Sequence, residues 1–503
     1  MFSKLIKNSS SNVLVMAVKL AFTFLMTPAI VRALGNYDYG LWEIVFSVVG
    51  YMGLLDIGMR PAVVRYVAKF QALEDKPSLD SLFITSLSFS ALVGLVGCIS
   101  LLMWAKFDPG VLAEQGADSS RYVAFLSIIA FQILIQFPGY VADCIHAGYQ
   151  RYHLLNLVNI LCTVIGNSVI YYLLTHGHGL LTLALGNALG TVVRYLLSFV
   201  LLFFDKYGGF RLHLKNLSFD MMKLLLNFGG KSFAASIAST VSGSVSTLMI
   251  GFFLGPAAIP FYAIPSRLIS YLSGISTTVT NVFMPAFSQL HSLNQRETLN
   301  STYLTSTKYI CSFMFPLLIG IGLLGKPFLA RWMGAEYADK GAAILYLLSA
   351  ANLVFLMNPL FNQLLTGINK VELLVKIRVL STVILVISIL LLIKPFGTIG
   401  VAVAFLIMTI GSKPFEISYT CRALGMTYVD FIKEAYSRLL LPNLSMAVIL
   451  LITINKINPI DYSEIALVSM IGAITYLMIF IPMSITDEEK LILLGKIRNT
   501  CSK

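Results

Sequence analysis

Long apolar segments constrain this chain more strongly than any other feature of its sequence. A helix that crosses a membrane needs about 20 apolar residues, and segments of this length follow one another along the chain with short polar loops between them. They predict an all-α polytopic membrane protein with about 14 transmembrane helices. The predicted segments are 8–34, 37–59, 81–104, 121–146, 153–175, 180–204, 223–254, 257–286, 303–325, 341–366, 372–394, 398–422, 435–455 and 463–485.

The composition agrees with this class and excludes several functions. Hydrophobic residues make up 57% of the 503 residues and charged residues only 12%, whereas soluble proteins carry about 25% charged residues. The loops are too short for a soluble catalytic domain, so we do not expect an enzyme. Two histidines, His176 and His178, flank a glycine, and the six cysteines include no CxxC pair. These patterns predict no metal site, no set of structural disulfides and no cofactor.

Lysine and arginine are unevenly distributed between the loops. If the N-terminus lies in the cytoplasm, 23 of the 36 basic residues lie on the cytoplasmic side, 8 on the opposite side and five inside spans. This bias predicts that both termini are cytoplasmic. It also accounts for the net charge of +12 without a nucleic-acid partner. The first segment reads as a retained helix and not as a signal peptide.

An internal repeat relates the two halves of the chain. A shift of 220 residues places Leu34-Gly35 on Leu254-Gly255, and a slip of one residue then places Leu154-Leu155 on Leu373-Leu374. Gly177 returns to register with Gly397. Six helices separate the copies, so both halves have the same orientation, a repeat type that transporters use with their site between the halves. We expect two pseudo-symmetric six-helix lobes, 1–210 and 211–425, followed by a helix pair and tail, 426–503.

Basic residues inside the spans are the first candidates for a binding site. Charges at membrane depth are costly and usually face a bundle interior or a wet cavity. Lys19 lies in the middle of the first segment, on one helical face with polar residues at 8, 12, 23 and 27. We expect Lys19 to contact substrate, with an internal ion pair to Glu43 or another acid as the alternative. Arg267, in the middle of the eighth segment, has the same two interpretations.

Three further basic residues are candidates for substrate contact. Lys231 lies nearer the cytoplasmic end of its segment, where its side chain could instead snorkel to the lipid head groups. Arg60 and Arg65 follow the second segment at the predicted cytoplasmic mouth, and their alternative role is to anchor the chain by the positive-inside rule. For Arg194 we favour a structural ion pair.

Four acidic residues inside the spans could bind a coupling proton or sodium ion. They are Glu43, Asp56, Asp143 and Glu416. A carboxylate in a low-dielectric site can titrate near neutral pH, but each could instead pair with a basic residue. For Glu416 pairing is the first expectation, because Lys413 lies three residues away on the same helix face. Asp143 and His146 have the same spacing, which also allows a proton relay.

Three short motifs resemble the polysaccharide-transporter family. The first is Leu34-Gly35 followed by Tyr39-Gly40 and Trp42. The second is Asp56-Ile57-Gly58 followed by Arg65, and the third is the basic loop 148–152. Together with the six-six-two arrangement of helices, the chain resembles a Wzx-type lipid-linked oligosaccharide flippase of the MOP superfamily, which includes the MATE exporters.

The resemblance implies a function in the biosynthesis of O-antigen, capsule or exopolysaccharide. Undecaprenyl-diphosphate-linked repeat units would move from the cytoplasmic to the periplasmic leaflet of a bacterial inner membrane, coupled to H⁺ or Na⁺ as in an antiporter. Membrane lipids and a polysaccharide polymerase are the other implied partners. Three alternatives stay open: a MATE-like exporter of small molecules, a flippase for peptidoglycan precursor, and a membrane enzyme of the same sugar pathway. The in-span cations speak against the exporter, and the short outer loops against the enzyme.

Overall fold

The computed structural model describes residues 2–107, 119–204 and 214–484. Within these ranges it gives no side-chain environment for 2–13, 119, 203, 204, 214, 231, 232, 234–236, 238, 239, 241, 242 and 484. The predicted tail beyond 484 therefore lies outside the described residues.

The described residues form helices and connecting turns, with no strand among them. Hydrocarbon offers backbone groups no hydrogen-bond partner, so helices, which satisfy their own N–H and C=O groups, are the expected solution for apolar segments. The helices are α1 Phe2–Met52, α2 Met59–Ala72, α3 Lys76–Phe107, α4 Ser119–Gly148, α5 Tyr152–Thr175, α6 Leu181–Phe204, α7 Phe219–Leu254, α8 Ile259–Thr280, α9 Phe283–Ser292, α10 Arg296–Trp332, α11 Ala335–Phe355, α12 Phe361–Gly367, α13 Val371–Leu424, α14 Tyr428–Ile457 and α15 Tyr462–Ser484.

Ten helices within the described residues are long and apolar enough to cross a membrane. Two of them are bent and each covers two predicted segments: α1 bends at Gly35 and α13 at Gly397, where the backbone leaves the helical region. The all-α membrane fold is confirmed. The total of fourteen crossings stays a prediction.

The chain divides into two compact units, Met1–Ala258 and Ile259–Lys503. In the first unit, α4 packs against α2, α3 and α6, while α5 packs between α1 and α6. Val45, Leu101 and Ile133 are fully buried in its core. Helix α7, which the repeat assigns to the second lobe, packs against α1, α2 and α3 in this unit.

In the second unit, α10 is the central helix. It packs against α8, α11, α14 and α15, and α11 packs in turn against α8 and α13. The ring of Tyr303 on α10 is completely buried between Phe287 and Phe431, at centroid distances of 5.6 and 6.4 Å. These rings join α9, α10 and α14 in one core.

The internal repeat is visible in the backbone of its two copies. Both copies carry residues with positive φ, a conformation that L-residues rarely adopt, at matching positions, and the matches follow the register of the sequence repeat, including its one-residue slip. The pairs are Gly35 and Gly255, Glu74 and Asn294, Gln150 and Asn369, and Gly177 and Gly397.

Three predicted segments are each interrupted by a break that the sequence analysis did not predict, so these three predictions of a continuous helix were wrong. The segment 37–59 is interrupted by a 3₁₀ turn at Gly53–Asp56, because Ile57 and Gly58 adopt left-handed conformations and Asp56 accepts a hydrogen bond from the Gly58 N–H at 2.8 Å. The segment 257–286 ends at Thr280, and α9 begins at Phe283. The amide of Gln363 donates to the Thr280 hydroxyl at 3.1 Å across this break.

The third break divides the segment 341–366 into α11 and α12. Pro359 lies in the break and offers no N–H for a continuous helix. The Tyr303 hydroxyl donates to the Asn358 side-chain oxygen at 2.5 Å, and the Asn358 amide donates to the Thr420 hydroxyl at 2.9 Å. Side chains from α10 and α13 therefore satisfy the polar groups of the break, which local sequence alone does not reveal.

Candidate functional site

A polar cavity of about 470 Å³ lies within the first unit. The second half of α1, the turn at Gly53–Asp56, and helices α2, α4 and α7 form its walls. The lining combines aromatic side chains with hydrogen-bonding and charged ones. The polar lining residues are Asp56, Arg60, Gln132, Gln136, Tyr140 and Thr240.

Arg60 is the basic residue of this lining among the side chains that the structure describes. It occupies the first turn of α2, where the turn before the helix fixes its direction. Its Nε atom lies 2.8 Å from the Asp56 carboxylate, but its N–H is not aligned for a hydrogen bond, so the contact is an ion pair only. The side chain is 39% exposed, which leaves part of the guanidinium open to the cavity.

The ring of Tyr140 packs against the guanidinium of Arg60. The Arg60 Cζ atom lies 3.4 Å from the centre of the Tyr140 ring, and the Gln136 amide donates a hydrogen bond to the Tyr140 hydroxyl. A guanidinium stacked on an aromatic face keeps its charge and loses little freedom when it binds an anion. Arg60 is thus presented in a preferred orientation and not as a mobile surface charge.

A second charged cluster lies behind Tyr140, between α4 and α6. Arg194 donates to Asp143 at 2.5 Å, and the Ser198 hydroxyl donates to the other Asp143 oxygen at 3.2 Å. The ring of Tyr195 packs edge-to-face on Tyr140 at 5.7 Å and links the two clusters. The expected structural pair for Arg194 therefore exists, with Asp143 as its partner.

His146 joins the same cluster through the backbone. Its Nε2 atom lies 3.0 Å from the Ser198 carbonyl oxygen, while the Ser198 side chain binds Asp143. His146 and Asp143 are therefore joined through one residue, and the proton relay between them stays a hypothesis.

Lys19 is exposed on α1 and does not line the 470 Å³ cavity. Its charge is close enough to that of Arg194 for the two to repel each other, so it belongs to the electrostatic surroundings of the second cluster. The polar stripe near it is partly internal to the helix, because Thr23 donates to the Lys19 carbonyl at 2.9 Å and Thr27 to the Thr23 carbonyl at 2.7 Å.

The remaining sequence candidates lie apart from the cavity or outside the described side chains. Arg65 is exposed on α2 with its Cζ 4.4 Å from the centre of the Phe228 ring, and Glu43 is buried on α1. The Lys231 side chain lies outside the described residues. In the second unit, Arg267 is half-buried on α8.

Glu416 forms the ion pair that its spacing predicted. Its carboxylate lies 2.6 Å from the Lys413 ammonium group in α13. Lys413 is almost completely buried, with its Nζ atom 4.7 Å from the centre of the Phe355 ring.

Sequence reasoning missed the residues that complete the cavity on α4. Gln132, Gln136 and Tyr140 repeat every four residues and line one face of that helix. This spacing within an apolar segment was a signal that could have identified them. Among the described residues, no group of three His, Cys, Asp or Glu side chains could hold a metal ion.

Comparison with known families decides the class of this molecule. The family model described as "Polysaccharide biosynthesis protein" matches residues 29–341, more than half of the chain. The chain belongs to the polysaccharide biosynthesis protein family. The match includes the turn at Gly53–Asp56 and every helix that contributes to the cavity.

Two curated relatives of this polysaccharide biosynthesis protein cover most of its length. A Shigella flexneri protein named "Putative O-antigen transporter" is 22% identical over 68% of the chain and 80% of its own length. A Haloferax volcanii protein named "Probable flippase AglR" is 22% identical over 93% of both chains.

Solved structures show that the fold is shared across two kinds of transporter. The inward closed conformation of the lipid II flippase MurJ matches with a TM-score of 0.75 and 15% identity, over 94% of this chain and 98% of the other. An inward-facing multidrug MATE transporter of the MOP superfamily matches with a TM-score of 0.66 and 17% identity, over 82% and 98%. Both matches establish the fold of this polysaccharide biosynthesis protein; neither one identifies its substrate.

Proposed function

We propose that this chain is a flippase for lipid-linked oligosaccharide precursors of a surface polysaccharide. Its substrate would be a repeat unit joined by a diphosphate to a polyprenyl carrier, moved by alternating access from the cytoplasmic to the periplasmic leaflet of the inner membrane. The family match and the relatives named as a flippase and as an O-antigen transporter support this substrate class.

One observation carries the proposal: a cationic side chain is held in a fixed orientation in a polar cavity between membrane-length helices. Arg60 is fixed by Asp56 on one side and by the Tyr140 ring on the other, and part of its guanidinium remains open. Guanidinium binds phosphate through two parallel hydrogen bonds. A diphosphate that leaves water for low dielectric needs such a partner.

The rest of the cavity suits sugar rings. Trp42 and Phe46 stack on each other at a centroid distance of 5.7 Å along one wall, and aromatic faces pack against apolar ring surfaces. Gln132 and Gln136 line the same cavity, and their amides can donate to and accept from hydroxyl groups. The cavity therefore offers groups for both chemical parts of the head.

A separate apolar cavity in the second unit suits the lipid part. It has a volume of about 650 Å³ and is lined by α8, α10, α11, α14 and α15. Its lining is almost entirely hydrocarbon and aromatic, with Leu317, Met446 and Phe480 among its side chains. Such a surface binds a prenyl chain through apolar contacts along the chain's length, without polar recognition.

Ion coupling belongs to the proposal as well. Asp143 is the preferred coupling residue among Glu43, Asp56, Asp143 and Glu416, because its partner Arg194 and the Ser198 hydroxyl form a compact site that a cation could compete for. Asp143 joins α4 to α6 through these contacts, whereas Glu416 pairs with Lys413 on its own helix, α13.

A host strain without its own flippase for a known surface polysaccharide tests the proposal. We would express the chain at matched membrane levels and measure surface polymer, across hosts with several different repeat units. We expect surface polymer in at least one host. Arg60→Gln should lower the amount of polymer at least about tenfold, because a charge-assisted hydrogen bond contributes about 1.5–3 kcal/mol. Arg60→Lys should retain part of the polymer.

The control variant is Lys340→Gln. Lys340 is an exposed residue of the second unit that pairs with Glu336 one helical turn away, so its loss should leave surface polymer unchanged. Absence of polymer in every host, together with new resistance to cationic drugs, would overturn the proposal in favour of a small-molecule exporter.

A further inference from the structure

A second charged cavity lies at one end of the second unit and has no part in the proposal above. Its volume is about 370 Å³, and its lining includes four basic side chains: His291, Arg296, Lys370 and Arg422. They come from four different places, the end of α9, the start of α10, the residue before α13 and the last turn of α13. The fold therefore gathers residues that are far apart in the sequence.

The C-terminal ends of helices neutralise only part of this positive charge. Helices α9, α12 and α13 all end at this cavity, and each helix C-terminus acts as about half a negative charge. Three such ends do not balance three full positive charges and a histidine. No carboxylate of the described residues forms an ion pair with any of the four side chains.

The first unit contains the same turn with the opposite chemistry. In both copies the turn before the long helix has the same backbone hydrogen bonds: Glu74 N–H to Gln71 and Lys76 N–H to Glu74 correspond to Asn294 N–H to His291 and Arg296 N–H to Asn294. The acidic residues of the first copy are amides in the second. The pairs are Glu74 and Asn294, Asp75 and Gln295, and Asp80 and Asn300.

The carboxylate of the first copy is firmly charged. Hydrogen bonds from the side chain and backbone N–H of Ser78 hold the pKa of Asp75 below its usual value. A negative charge therefore accompanies Lys76 in the first unit, whereas Arg296 at the matching position has only neutral neighbours at 294, 295 and 300. The second copy has kept the turn and exchanged these three carboxylates for amides. Glu297, which follows Arg296 where the first copy has Pro77, forms no ion pair with any of the four basic side chains.

Arg296 is built into the wall of the cavity. A Cβ atom at Gly425 would lie 2.3 Å from the Arg296 guanidinium, so the glycine at the end of α13 leaves open the space that this guanidinium occupies. Asn300 donates from its amide to the Leu424 carbonyl at 2.7 Å, which satisfies one of the last carbonyls of α13. Arg296, Lys370 and Arg422 thus surround a space that is basic on several sides.

We propose that this cavity binds a phosphate group as the counter-charge that the described residues do not supply. The phosphate can come from the head group of an anionic phospholipid or from a soluble phosphate compound, because both present the same tetrahedral anion to guanidinium and ammonium donors. The positive-inside bias predicts that this end is cytoplasmic. The proposal does not depend on the transported substrate.

The test uses the purified full-length protein after removal of bound lipid. Phosphatidylglycerol or phosphatidylcholine in detergent micelles, or inorganic phosphate alone, would be titrated while native mass spectrometry counts adducts and a melting curve records stabilisation. We expect one tight phosphatidylglycerol adduct, weakened at least about tenfold in the double variant Lys370→Gln and Arg422→Gln, because each charge-assisted hydrogen bond contributes substantially to affinity. Phosphatidylcholine should bind more weakly because it carries no net charge.

A charge-matched control removes two cations elsewhere in the same unit. Lys326→Gln with Lys340→Gln changes the net charge by the same amount, but these lysines already have Asp339 and Glu336 as partners. Tight binding of phosphatidylglycerol without stabilisation by inorganic phosphate would assign a lipid head group, and stabilisation by inorganic phosphate a soluble ligand. Equal phosphatidylglycerol binding by the double variant and its control, or no adduct at all, would overturn the proposal. The single variant Arg422→Lys keeps the charge and checks that any loss of binding is not due to misfolding.

Discussion

Single side chains in the first unit show how one helix can serve two different tasks. On α4, Tyr140 faces the cavity and carries Arg60 on its ring, while Asp143, three residues further on, faces α6 and holds Arg194. Residues three apart on a helix lie on neighbouring parts of its surface. The exposed cation is therefore available for a ligand, whereas the inner cation is neutralised by the protein.

The Asp143–Arg194 pair should contribute strongly to stability. Removing one partner of a buried pair costs about 3–5 kcal/mol because the other charge is left uncompensated. Both side chains are at most one-third exposed, at 14% and 32%. We expect Asp143→Ala to lower the melting temperature of the detergent-solubilised protein markedly, and Asp143→Ala with Arg194→Ala to recover part of the loss.

The exposed pair Glu336–Lys340 is the control for this measurement. The two residues lie one turn apart on α11 and both are more than half exposed. Pairs of this type contribute about 0.3–0.5 kcal/mol, so Glu336→Ala should change the melting temperature little. If Asp143→Ala were as mild as Glu336→Ala, the inner pair would not be the structural element described above.

At the scale of elements, the glycines of the sequence motifs mark places where backbones meet. A Cβ atom at Gly40 would lie 1.9 Å from the Pro256 carbonyl oxygen, and one at Gly58 would lie 2.3 Å from the Gly229 carbonyl oxygen. Both contacts hold α7 and the turn that follows it against α1 and α2 within the first unit. Only glycine permits such close approach.

A pair of adjacent glycines on α7 offers a direct test of this contact. At Gly229 a methyl group would meet the Ile57 and Gly58 carbonyl oxygens at 2.7 and 2.8 Å, whereas at Gly230 nothing lies within 4 Å. We expect Gly229→Ala to destabilise the protein by about 1–3 kcal/mol through overpacking. Gly230→Ala should stabilise it by up to about 1 kcal/mol, since alanine favours the helix.

Thermal unfolding of the two variants side by side makes the comparison. Both substitutions add one methyl group to one helix, so their difference isolates the contact with Gly58. Equal melting temperatures would show that α7 does not lie against the turn at Gly53–Asp56 as described.

The same crossing explains which elements could be predicted from the sequence. The bend at Gly35 and the helical segments follow from local signals, namely a glycine between long apolar runs. The break at Gly53–Asp56 does not, because it depends on α7 approaching a distant stretch of chain. Asp56 and Arg60 were recognised as candidates from the sequence. Tyr140 and Gln136, which give Arg60 its orientation, were missed because they lie on a distant stretch of chain.

At the scale of the whole molecule, the repeat is preserved in backbone and altered in chemistry. The same left-handed turns recur at Glu74 and Asn294, and at Gln150 and Asn369. The cavity of the first unit is polar around Arg60, whereas the large cavity of the second is apolar. Two copies of one framework therefore carry different binding surfaces, which suits a substrate with a charged head and a long hydrocarbon tail.

The repeat also predicts the topology, and cysteine labelling can check it. The six described or predicted helices between matching positions place equivalent loops on the same side of the membrane. His178→Cys lies in the predicted outer loop of the first copy, and Phe396→Cys lies beside the matching bend at Gly397. Glu74→Cys and Asn294→Cys lie in the predicted inner turns, and all four native residues are exposed. The background should carry Cys501→Ser, because the five cysteines among the described residues are buried and Cys501 lies outside those residues.

We expect a membrane-impermeant maleimide to label the first two variants in intact cells, and the last two only after the membrane is opened. Both members of each pair must behave alike, because a parallel repeat gives the two copies one orientation. An inverted repeat would split the pairs, with residue 178 accessible from outside and residue 396 from inside. Labelling of all four sites from the opposite side would keep the repeat and reverse the orientation, and would show that the excess of basic residues on one side does not set the topology of this chain.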